Sequence, residues 1–147
     1  MSQKLPAKGR LRLPADGEAL RKLRHDLRTP INPILGFCEL IVDEAGDAAP
    51  APFLAGVQAL HGVGQRMLKL TNEVFGEAPS PLRQLGYREL LRTFRAPAGE
   101  ATALCTRLEQ AAAAAALPVA AEDLRRIGGA TGEWLARVEA SLEQHCR

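Results

Sequence analysis

The chain is short of aromatic residues, of cysteine and of any large excess of charge. Its 147 residues include four Phe, one Tyr and one Trp, or 4%, against 46% hydrophobic residues. A core of Leu, Ala, Val and Ile with little else suits helices packed on helices better than a β-sandwich. The three cysteines, Cys38, Cys105 and Cys146, are far apart and form no CxxC pair. That excludes a disulfide framework and a zinc cluster, and makes reduced thiols and a cytoplasmic setting the expectation. No run approaches the roughly 18 apolar residues needed to span a bilayer. The formal net charge of +2 is too small to argue for nucleic acid. At this length the chain is one domain, or two small halves sharing a core.

The basic stretch at the N-terminus, with Lys4, Lys8, Arg10 and Arg12 before Asp16, contains Pro6 and Pro14 and no apolar segment. It is neither a signal peptide nor a membrane anchor, and residues 1–15 are expected to be a flexible, solvated tail.

What is present is helical periodicity. With Asp16 as N-cap, Leu20, Leu23, Leu27, Ile31, Ile34, Cys38 and Ile41 recur in steps of three and four that average 3.5, the seam of a left-handed bundle. Pro30 and Pro33 fall inside this helix. Each removes a backbone donor, yet the seam stays in phase on both sides, so a kink just after His25 is predicted rather than a break. Residues 46–52 read as a turn. A second helix over 52–75 carries Val57, Leu60, Gly64, Met67, Thr71 and Val74 on one face. Gly62 and Gly64 each cost it about 1 kcal/mol, for which close helix approach is the expected compensation. After a linker at 78–81, a third helix is predicted over 82–116, with Leu90, Phe94, Ala101, Leu104 and Leu108 inward and an interruption at Pro97 and Gly99. The alanine run 111–116 is read as helical. A turn at Leu117 and Pro118 precedes a fourth helix over 120–145, whose inward face is Leu124, Ile127, Thr131, Leu135, Val138 and Leu142, with Trp134 beside it.

One string in the first helix carries chemistry: His25-Asp26-Leu27-Arg28-Thr29-Pro30, followed by Asn32 and Ile34-Leu35-Gly36-Phe37. His25 is two residues from both Leu23 and Leu27. Two residues are about 200° of helix rotation, so the imidazole turns away from the seam towards solvent. A neutral imidazole is a competent nucleophile near neutral pH. Asp26 is placed to orient the ring or take its proton, and Arg28 to set positive charge near a phosphate.

This string resembles the phosphoacceptor box of two-component histidine kinases, whose dimerisation and phosphotransfer domain opens on His-Asp/Glu-Leu-Arg-Thr-Pro. The resemblance covers roughly the first half of the chain, to about Phe75. It implies that His25 is the phosphoacceptor, that Asp26 assists it, and that Thr29 corresponds to the position that helps water attack in dephosphorylation. It also implies a receiver domain of a response regulator or a sensor kinase as partner. No cofactor of the chain's own is expected, with Mg²⁺ supplied by the regulator, and no nucleic acid or membrane.

The two halves also overlay. At an offset of 67, Leu23 falls on Leu90, Arg28 on Arg95, Pro30 on Pro97 and Cys38 on Cys105, while His25, Asp26 and Thr29 fall on Arg92, Thr93 and Ala96. Residues 82–147 thus read as a second hairpin, a degenerate repeat of the phosphoacceptor hairpin 16–77 that has lost its reactive groups. A hairpin with one apolar face cannot bury it alone. The expected fold is therefore all-α, an antiparallel four-helix bundle of two hairpins. A monomeric pseudo-dimer is favoured, and a homodimer through the first hairpin is the alternative. The second half shows none of the Asn-rich or Asp-x-Gly patterns of a kinase's ATP-binding domain, and the Gly128-Gly129 pair lies in a helix. The leading expectation is a histidine phosphotransfer protein, a phosphocarrier rather than an autonomous ATP-dependent kinase. The alternative is a non-catalytic bundle that binds and modulates a kinase or regulator, with a plain helical scaffold behind it.

Overall fold

The computed structural model describes residues 9–78 and 80–146. Five helices follow in order: α1 (Gly17–Arg28), α2 (Ile31–Ala45), α3 (Ala51–Phe75), α4 (Tyr87–Ala114) and α5 (Pro118–His145). Short 3₁₀ turns lie at Gly46–Ala48 and Pro81–Gln84. Asp16 caps α1 as expected, its carboxylate accepting the Glu18 N–H at 3.0 Å. Between α1 and α2 the Thr29 N–H still reaches the His25 carbonyl at 3.1 Å, the ladder loses its donor at Pro30, and both residues keep helical dihedrals (φ −53°, ψ −45° and φ −68°, ψ −18°). The two segments continue one helical path, interrupted where Pro30 has no N–H to give.

Around the bundle, α2 packs on α3 and α5, and α4 packs on the same two. Hence α2 stands diagonally across from α4, and α3 from α5. The fold is the all-α bundle of two hairpins, with one core running through all four columns. Leu27, Ile31, Ile34, Cys38 and Ile41 fill it from the first column, while Leu20 and Leu23 are only half-buried. Trp134 is fully buried at the centre. It packs on Phe94, and Phe94 on Phe75, with ring centroids 5.7 and 5.9 Å apart. Its indole N–H donates to Thr71 Oγ at 3.1 Å. Burial pushes the Cys38 and Cys105 thiols up, to about 12 and about 11.

The second hairpin repeats the burial of the first. Each of the sixteen buried positions from Leu27 to Phe75 falls on a buried position when 67 is added, as in Leu27 and Phe94, Ile41 and Leu108, Val57 and Leu124, Met67 and Trp134. A side-chain hydrogen bond follows too: Arg28 Nε donates to Asn72, and Arg95 Nε to Glu139, 44 residues on in both cases, although only the second is an ion pair.

Several expectations need correction. Helix α4 starts at Tyr87 rather than 82, because Pro81 opens a 3₁₀ turn and Leu85 is extended. Pro97 and Gly99 do not interrupt it. Pro97 is buried in the bundle, and packing along the column outweighs the one backbone hydrogen bond it removes. The helix ends inside the alanine run, at Ala114, and Ala116 takes a left-handed φ of 56°. The inward residue at the centre of α5 is Trp134, with Leu135 only half-buried. Gly64 is compensated as expected, since a Cβ there would lie 2.9 Å from Leu35 and 3.1 Å from Ile34. Gly62 has nothing within 4 Å, and the tightest approach to another helix is instead at Gly56, against Leu108. Finally, the described part of the N-terminal tail lies on the bundle rather than free of it. Arg10 and Leu11 bridge Gly86 and Cys146, the Arg12 N–H donates to the His145 carbonyl at 2.8 Å, and Leu11 and Leu13 pack on the core. Residues 1–8 of that tail lie outside the described residues.

Candidate functional site

The site is built on the last turn of α1, and its shape follows from Pro30. A helical carbonyl is normally satisfied by the N–H four residues on. Pro30 has none, so the Asp26 carbonyl is left without its donor. The gap is filled from the other hairpin: Arg137 of α5 donates Nη1–H to the Asp26 carbonyl at 2.7 Å. Its Nη2 pairs with Glu133 at 2.6 Å, one turn back on the same helix. One residue earlier, the His25 carbonyl accepts both the Thr29 N–H at 3.1 Å and the Thr29 hydroxyl at 2.8 Å.

The His25 side chain is exposed, on the outer face of α1, as its place two residues from each seam leucine requires. It borders an open surface hollow with Asp16, Glu18, Ala19, Arg21 and Lys22. Asp26 is exposed beside it, but among the described residues no hydrogen bond joins its carboxylate to the imidazole. Neighbouring residues on a helix diverge by about 100°, so orientation of the ring by Asp26 is not built into this structure. Thr29 is exposed one turn on, and its hydroxyl proton is turned back to the His25 carbonyl. Arg28 points sideways: half-buried, its Nε donates to Asn72 Oδ1 of α3 at 2.5 Å. Through Nε it ties the site's helix to its hairpin partner. The structure therefore brings His25 and Thr29 together through a carbonyl, leaves Asp26 adjacent but unbonded, and draws Arg28 away.

Three contributors escaped the sequence reading. Arg137 is 111 residues from its partner and has no signature. Asn72, the partner of Arg28, overlies Glu139, the partner of Arg95, at the offset of 67, a correspondence that shows only once both pairs are seen. Arg24 is half-buried and reaches Glu77 at 3.5 Å, with its Nη1 unpartnered. Away from the site, His61 pairs with Glu39 at 3.3 Å. Among the described residues no group of three or more His, Cys, Asp or Glu is placed to hold a metal ion, and no helix is long and apolar enough to cross a membrane.

An exposed histidine near the Pro30 interruption of a bundle helix is the geometry on which comparison with known proteins decides. Residues 15–77 match the His Kinase A (phospho-acceptor) domain. The match spans α1 to α3, the whole first hairpin, with His25 on its opening helix. The Non-motile and phage-resistance protein of Caulobacter vibrioides is 36% identical over 61 residues, which are 41% of this chain and 7% of that protein. The chain thus corresponds to a small part of that relative's length. No solved structure matches the chain. The similarity of the first hairpin to that domain supports two-component histidine phosphoacceptor signalling in general. It does not extend over α4 and α5.

Proposed function

We propose that the protein is a histidine phosphotransfer protein that takes a phosphoryl group on His25 and exchanges it with response-regulator aspartates. The observation that carries this reading is the exposure of His25 on the phospho-acceptor hairpin while the second hairpin completes the bundle in the same chain. The kinase-type domain it matches supplies one hairpin to a bundle. Here α4 and α5 occupy the remaining two columns, which supports a monomeric pseudo-dimer with one histidine-bearing face. In the pseudo-equivalent place stands Arg92, which cannot accept phosphate in this way. In this reading the phosphate comes from a regulator aspartate or from a kinase that acts on His25.

In the transfer, an unprotonated ring nitrogen of His25 attacks the phosphorus of an aspartyl phosphate. An N–P bond forms, the acyl O–P bond breaks, and the aspartate leaves as carboxylate with the electron pair. The second ring nitrogen keeps its proton or sheds it to water. The Mg²⁺ and the aspartate belong to the regulator. Thr29 keeps an expected part in dephosphorylation, its hydroxyl oxygen lying one turn from the imidazole, and Asp26 acts once docking or phosphorylation turns it towards the ring. The docking surface is α1 with the start of α2, and the facing part of α3.

The test is to incubate the protein with regulators labelled on aspartate, or with sensor kinases and ATP. Acid-labile label is expected on the native chain and on His61→Ala, and none on His25→Ala. Binding of a labelled regulator with no label on His25 would refute transfer and leave a non-catalytic binding module. Solution mass of one chain, rather than two, is expected alongside.

A further inference from the structure

We infer that Arg137 is a positioning residue for His25, delivered to the phosphoacceptor turn by the second hairpin. The inference rests on the phosphotransfer reading for its purpose, but on independent geometry for its contact. Pro30 and Pro97 are pseudo-equivalent, and each strips the donor from the carbonyl four residues before it: Asp26 in the first hairpin, Thr93 in the second. At the first, Arg137 Nη1 supplies the donor at 2.7 Å. Subtracting 67 from 137 gives the residue that would do the same at the second, and it is Leu70, which has no donor to give. An arginine donor is therefore supplied at the face that carries a histidine, and a leucine takes its place at the face that carries Arg92. The two halves are otherwise so alike in burial that this difference stands out as local.

The arrangement is also braced. Glu133 stands four residues before Arg137 on α5, the favourable order for such a pair, and holds the guanidinium's second nitrogen at 2.6 Å. With one nitrogen on Glu133 and the other on Asp26, the guanidinium cannot rotate freely. A cation at the C-terminal end of α1 further complements the helix dipole. The turn so held includes His25 itself, whose carbonyl carries Thr29. Without Arg137, the Asp26 peptide must find water or tilt outward, and His25, one residue back, moves with it. In-line transfer tolerates little misplacement: about 1 Å can cost up to roughly a hundredfold.

Pro30→Ala supplies the test, because it returns the missing N–H to the Asp26 carbonyl and makes Arg137 redundant. Four full-length chains are compared: native, Arg137→Ala, Pro30→Ala and the double variant, with Arg137→Lys as the conservative control. Label transfer from a receiver domain phosphorylated on aspartate is measured against receiver concentration. Arg137→Ala is expected to lower the maximal rate by roughly tenfold with the half-saturating concentration unchanged. Arg137→Lys should restore part of the rate, and Pro30→Ala added to Arg137→Ala most of it. Native-like transfer by Arg137→Ala, or a loss that Pro30→Ala leaves untouched, would overturn the inference. If the native chain takes no label, the phosphotransfer reading fails, and Arg137 is judged on the turn itself. By NMR, Arg137→Ala should then broaden the His25 ring resonances and speed exchange of the Thr29 amide, and the double variant should reverse both. Unchanged spectra in Arg137→Ala refute a positioning role whatever His25 does.

Discussion

Replacing Thr71 by Val tests whether the two hairpins are held as one cooperative unit by the centre of the bundle. Thr71 on α3 and Trp134 on α5 face each other across the diagonal. Both are buried, at 0% exposure. The threonine hydroxyl accepts the indole N–H at 3.1 Å and donates to the Met67 carbonyl at 2.8 Å. Valine keeps the shape and removes both bonds. The Met67 carbonyl retains its helical partner, so that loss is small. The indole N–H is left buried without an acceptor, which costs about 1–3 kcal/mol. In a domain of this size that lowers Tm by several degrees. Trp134→Phe loses packing against Phe94 but needs no acceptor, so Thr71→Val should cost less in that background, by about 1 kcal/mol or more. Urea unfolding followed by circular dichroism gives the four corners of the cycle. In chains that keep it, Trp134 is the sole tryptophan, and its fluorescence should change at the same urea concentration as the helix signal. Equal costs of Thr71→Val in the two backgrounds would show that the indole does not depend on Thr71. Separate transitions for the two signals would show that the hairpins unfold independently.

Two further substitutions follow from burial. Gly129→Ala in α5 meets nothing within 4 Å and should stabilise by about 0.5–1 kcal/mol through helix propensity. Gly64→Ala has the same propensity gain, but its methyl meets Ile34 and Leu35 at 3.1 and 2.9 Å, and overpacking of about 1–3 kcal/mol should cancel or reverse it; thermal melts of the pair decide. Asp123 is buried with Oδ2 unpartnered and Oδ1 3.4 Å from Arg126, and burial raises its carboxyl from the ordinary value against the pull of that arginine. A raised acid is stabilising only while protonated, so the charged form weakens the fold as pH rises through its folded pKa. Asp123→Asn should therefore gain stability relative to the native chain as the pH rises from about 3 to about 7; a constant difference over that span would show that burial does not outweigh the attraction of Arg126.

The parts of this molecule that were legible in its sequence are those set by local period. The 3.5-residue steps from Leu27 to Ile41 predicted the buried column, and the place of His25 two residues from each seam leucine predicted its exposure. Proline and glycine were less reliable guides. Pro97 reads as a helix end because its missing N–H is a local fact, while the burial that keeps α4 continuous through it is a tertiary one. Leu135 and Trp134 show the same limit at finer scale, since either fits the inward stripe by period, and it is the offset of 67, which lays Trp134 on the inward Met67, that singles out the ring. At the candidate site the local and the tertiary part company completely. His25, Thr29 and Pro30 lie within six residues and could be read together. Arg137 answers a vacancy that Pro30 creates, but nothing near position 137 announces it. It becomes visible only when the register of α5 against α1 is known, and only then does the unlike pair Arg137 and Leu70 show that the two halves, alike in their core, differ where the histidine is.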